Sequence, residues 1–114
     1  MALSPDQFPA TFYHGSKSPD MAVGSFIVPA PPTRDRYHET WATDNPDAAH
    51  AEASINSTNK HLESPVRIWE VKPMRGGQDL YGPTSSERHP TARNYASRHG
   101  WRVVREHQDQ GGAQ

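Results

Sequence analysis

The stretch TWATDNPDAAHAEASIN, residues 40–56, changes period halfway through. Thr40-Trp41-Ala42-Thr43 is rich in β-branched and aromatic residues, which is strand character. Asp44-Asn45-Pro46-Asp47 then carries the signals of a helix start. Asn45 suits the N-cap, Pro46 the first helical position, and Asp47 the positive end of the helix dipole. The alanines that follow, with Ile55, predict a helix to about Asn56. Ala48, Ala51 and Ile55 fall on one side and form a narrow apolar stripe, with Glu52 beside it reaching toward water. Small residues on that stripe let a helix lie close to a sheet.

Outward from this unit the chain is strand-prone in short pieces. Thr11 to His14 is one, ended by Gly15, and Phe26-Ile27-Val28 another, ended by Pro29. Val66 to Val71 places Val66, Ile68 and Glu70 on one side and Arg67, Trp69 and Val71 on the other. Both sides hold apolar residues, which predicts a central strand. Trp101-Arg102-Val103-Val104 is the last strand. Pro29–Arg36, Ser57–Ser64 and Pro73–Pro83 read as loops. Five short strands and one main helix predict an α+β domain over residues 11–107, with a flexible lead-in at 1–10 and a disordered tail at 108–114.

Composition bounds the function. The chain has 114 residues, net charge −1, 11 Pro, 8 Gly and no Cys. Its mean hydropathy of −0.94 is polar for a folded domain, but three Trp, four Tyr and three Phe argue for a thin core. Thiolate nucleophiles, disulfides and cysteine zinc sites are excluded. The near-neutral charge gives no general field for nucleic acid, although the last third is locally basic. No apolar run is long enough to span a bilayer, and the N-terminus lacks a signal-peptide pattern, so a cytoplasmic monomer without membrane contact is expected. The histidines show no metal-ligand spacing, so no metal is expected.

Three places offer chemistry. Tyr13-His14-Gly15-Ser16 sets a ring donor beside approachable backbone. Trp41, before Ala42 and Thr43, is either a core residue or a ring that stacks on a flat heterocycle. Asp79, after Gly76 and Gly77, is either an ordinary turn residue or a carboxylate facing a developing cation.

Taken in order, FYHGSKS, the Gly24–Pro29 segment, WATDNPDAAHAEA, RIWEVKP and HPTARNYASRHGWRVV resemble the rifamycin ADP-ribosyltransferase family. The likeness runs from about Phe12 to Glu106. It implies a small split β-sheet fold that holds NAD, as substrate, bent in a cleft. It also implies roles for His14, Trp41 and Asp79 as a catalytic set of the His–Tyr–acidic class, Trp41 standing where the family usually has tyrosine. His14 is expected on the adenosine ribose, and Gly15 on the nicotinamide amide through its backbone. Ser16 and Thr43 are expected alongside the bound NAD. Tyr95 and Arg98 are expected on the acceptor or phosphate side. The implied acceptor is a hydroxyl of a rifamycin-type antibiotic or another small molecule. A protein or nucleic-acid acceptor, as for a toxin or phage-type effector, and a non-catalytic nucleotide-binding or interaction module are the alternatives.

Overall fold

The computed structural model describes residues 8–18, 20–28, 40–56, 65–74, 80–85 and 89–107. In chain order these form β1 (Phe12–Ser16), β2 (Phe26–Ile27), β3 (Thr40–Thr43), α1 (Pro46–Asn56), β4 (Arg67–Pro73), β5 (Tyr81–Ser85), β6 (Arg93–Ser97) and β7 (Trp101–Glu106). The strands make one seven-stranded antiparallel sheet in the order β2-β7-β4-β1-β3-β6-β5. With a single helix among the described residues, the α+β reading holds only in a sheet-dominated form. No described helix is long and apolar enough to cross a membrane.

The helix begins as its sequence directs. Asn45 Oδ1 accepts from the backbone N–H groups of Asp47 (2.8 Å) and Ala48 (3.2 Å), two donors that a helix leaves unpaired at its start. The buried stripe is rotated from the expected one. Ala48, Ala49 and Ala53 are buried, whereas Ala51 and Glu52 are half-buried. Gly15 draws the helix to this side. A Cβ there would meet Ala49 O and stand 2.9 Å from Ala53 Cβ, so α1 rests directly on the backbone of β1.

Two strands lie where the sequence predicts none. β5 contains Gly82 and Pro83, both poor strand formers. β6 reads RNYAS, with little hydrophobic alternation, yet Tyr95, Ala96 and Ser97 are all buried. Ser97 tolerates burial because its hydroxyl receives the N–H groups of His99 (3.1 Å) and Gly100 (2.9 Å) in the turn into β7. β4 is a central strand as expected, and it runs on to Pro73, beyond the predicted end.

The core gathers Phe12, Ala42, Trp69, Val71, Leu80, Tyr95, Trp101 and Val103. Phe12 is its hub, with ring centroids 5.2 Å from Tyr95 and 4.9 Å from Trp101. Phe8, within the expected lead-in, packs edge-on against Phe12 at 5.7 Å.

Candidate functional site

The sheet is two blocks joined at a narrow seam. β1 pairs with β4 over all five of its residues, but with β3 only at Tyr13↔Thr43. Beyond that pair the β3-facing edge of β1 has no strand partner among the described residues. His14 and Gly15 stand on one lip of this opening and Trp41 on the other. The opening is stitched by a side chain, since His14 Nδ1 lies 3.0 Å from Trp41 O. A carbonyl oxygen only accepts, so Nδ1 carries the proton and Nε2 is left with its lone pair. Burial pushes the His14 pKa below the ordinary 6.5, partly opposed by the bond to Trp41 O. The imidazole is therefore neutral at pH 7, with its acceptor nitrogen outside the stitch.

This has a measurable consequence. A histidine with a depressed folded pKa is protonated more readily in the unfolded chain, so folding stability falls as pH drops below 6.5. The loss is at most about 1.4 kcal/mol per pH unit for one group, and it ends at the folded pKa. Urea midpoints at neutral and mildly acidic pH are expected to differ more for the native chain than for His14→Gln. Equal differences would show that His14 is not the group responsible.

The pairing register also shows how the two rings are set. His14 is opposite Trp69, on the side of β1 that carries Phe12. Trp41 is opposite Ala96, while its neighbour Ala42 is opposite the buried Tyr95. The imidazole and the indole thus leave their strands toward opposite faces and share the seam through His14 Nδ1 and Trp41 O. Trp41 is 47% exposed, so it is not a core residue. Trp69 Nε1 is buried without a hydrogen-bond partner, directly across from His14.

The other candidate residues divide. Ser16 is half-buried, and its hydroxyl accepts from Ser18 N at 3.0 Å. Thr43 is buried, and its hydroxyl donates to Arg93 O at 2.9 Å, tying β3 to β6. Asp44 strengthens the same corner by accepting Arg93 N at 2.8 Å. Asp79 lies outside the described residues. Tyr95 is in the core, where burial pushes its phenol pKa up, so it does not line an acceptor surface. Arg98 is exposed, its guanidinium 5.2 Å from the Tyr81 ring centre.

One further charged unit lies near the seam. Arg67 donates two hydrogen bonds to Glu106, Nε to Oε2 at 3.0 Å and Nη2 to Oε1 at 2.8 Å. The same guanidinium covers the Trp69 ring at 4.6 Å. Sequence inspection misses this pairing because its members are far apart in the chain. The alternation of Arg67 with Trp69 is the only local signal of it.

No protein-family model matches the chain, and no curated protein matches it.

Proposed function

We propose that the chain is an NAD-dependent mono-ADP-ribosyltransferase whose site is the opening between β1 and β3. The observation that carries this reading is the seam itself. A neutral histidine, and at Gly15 a strand edge without a strand partner among the described residues, stand on one lip; an exposed indole stands on the other lip and on the opposite sheet face. A ribose hydroxyl can donate to His14 Nε2. A carboxamide offers one N–H donor and one C=O acceptor, the same pair a neighbouring strand would present to the β1 edge. The exposed Trp41 ring suits stacking on nicotinamide.

In the reaction, the bond between ribose C1 and the nicotinamide nitrogen breaks, and its electron pair leaves with nicotinamide. The sugar cation that develops is matched by the carboxylate of Asp79. An acceptor hydroxyl then forms the new bond to C1 and gives its proton to that carboxylate. The acceptor proposed first is a rifamycin-type or other small-molecule hydroxyl, and a macromolecular hydroxyl comes second. Thr43 serves in this scheme by holding β3, since its hydroxyl is already engaged.

The test is nicotinamide release from NAD, with and without rifampicin. Asp79→Asn is expected to lower release on the order of 10²-fold, as for loss of a group matched to transition-state charge. His14→Ala is expected to raise the KM for NAD more than it lowers kcat, because its contact is made with the bound ground state as well. Release that both variants leave intact would exclude this site. Trp41 in place of tyrosine favours a second reading, a module that binds the nucleotide without turning it over. Calorimetric NAD binding with no release under any acceptor condition would select it.

A further inference from the structure

Three residues stand directly opposite one another across β2, β7 and β4. Phe26 faces Arg102, and Arg102 faces Lys72. Directly opposed residues of antiparallel strands project from the same face. All three are exposed, Phe26 at 59%. Like charges in this relation repel and work against the fold. Neither cation has an ion-pair or hydrogen-bond partner among the described residues. Lysine often guards the edge of a sheet, but β7 and β4 are interior strands, so that reason is absent here. Val28 and Met74, 59% and 44% exposed, are the other large apolar side chains left open at the ends of β2 and β4.

We infer that this row is a binding surface for single-stranded nucleic acid. A base stacks on Phe26, and the phosphate joined to it lies between Arg102 and Lys72. The row spans two strand spacings, roughly 10 Å, which long side chains close to the base-to-phosphate reach of one nucleotide. Val28 and Met74 offer apolar ground to a neighbouring base. The surface is a sheet face, which gives a lone nucleotide little to hold. A strand of nucleotides engages it unit by unit and gains from counterion release. With a net charge of −1 the attraction is local. Binding is therefore expected to be weak and strongly dependent on salt. It stands apart from the transferase reading, because it is measured without NAD.

The experiment is fluorescence anisotropy of a labelled dodecamer of deoxythymidylate with the full chain, from about 20 mM salt upward. A micromolar Kd at the lowest salt is expected. Lys72→Gln with Arg102→Gln is expected to weaken it at least about tenfold. The slope of log K against log salt should flatten by about 0.7, the share of the one phosphate no longer neutralised. Phe26→Ala is expected to weaken binding about tenfold through the missing stacking partner. Lys17→Gln should leave it unchanged. Because the substituted side chains are exposed and the two cations oppose each other, the charge variants should melt no lower than the native chain, and a second charge variant, Lys72→Glu, should weaken binding further. No binding at the lowest salt, or binding that ignores the charge variants and Phe26→Ala, would overturn the proposal. So would thymidine monophosphate binding as tightly as the dodecamer, or capture by phosphatidylserine vesicles without any dodecamer binding.

Discussion

Gly15→Val is expected to detach α1 from the sheet and leave most of the chain unfolded at 25 °C. The glycine stands in the middle of a full β1–β4 ladder, so its backbone has no freedom to move aside. A Cβ at this point meets the carbonyl oxygen of Ala49 and lies 2.9 Å from Ala53 Cβ. The first of these is backbone and cannot rotate away. The two further methyl groups of valine would enter the same space. Overpacking commonly costs about 1–3 kcal/mol, and here, with a backbone atom as the obstacle and two further methyl groups to place, a cost above about 5 kcal/mol is expected. A domain of this size has total stability near the lower end of about 5–15 kcal/mol. Far-UV circular dichroism should show loss of the helical signal, and urea unfolding should lose its lower baseline. Ala53→Gly in the same chain relieves only the side-chain clash and should restore little. A Gly15→Val chain melting within a few degrees of the native one would mean that α1 does not rest on β1.

The same close approach shows what a sequence can disclose. Asn45, Pro46 and Asp47 act on the helix start within one turn, so the beginning of α1 is legible from local residues. The buried side of α1 is set by a glycine more than thirty positions earlier, and the stripe chosen from helical period alone is displaced. β6 is hidden for a related reason. Ser97 is buried through bonds to His99 and Gly100, which no hydropathy pattern records. His14 and Trp41 can each be singled out from the sequence. Their meeting across the seam cannot, because it depends on where the β1–β3 ladder stops.

The seam also depends on a residue outside the proposed chemistry. Trp101 begins β7 in one block of the sheet, and its Nε1 donates to Thr40 O, in β3 of the other block, at 3.2 Å. His14 holds the next carbonyl, that of Trp41. Two side chains from one block thus grip consecutive carbonyls of β3, where only one residue pair joins β1 and β3. Trp101 has no exposed surface, and its ring stands against Phe12. Trp101→Ala removes this packing, opens a cavity and leaves Thr40 O without its donor. The expected cost is about 3–5 kcal/mol, a large share of the whole stability. Each kcal/mol corresponds to roughly 4–8 °C in Tm for a small domain, so thermal unfolding should move down by well over ten degrees. Trp101→Phe separates the two contributions. It keeps most of the apolar packing and loses the hydrogen bond, at a cost of about 1–3 kcal/mol. If the tether also sets the width of the seam, Trp101→Phe should weaken NAD binding at a temperature where the variant is fully folded. A Trp101→Phe chain with lowered Tm and unchanged NAD affinity would confine Trp101 to the core. A Trp101→Ala chain with native Tm would contradict the packing itself.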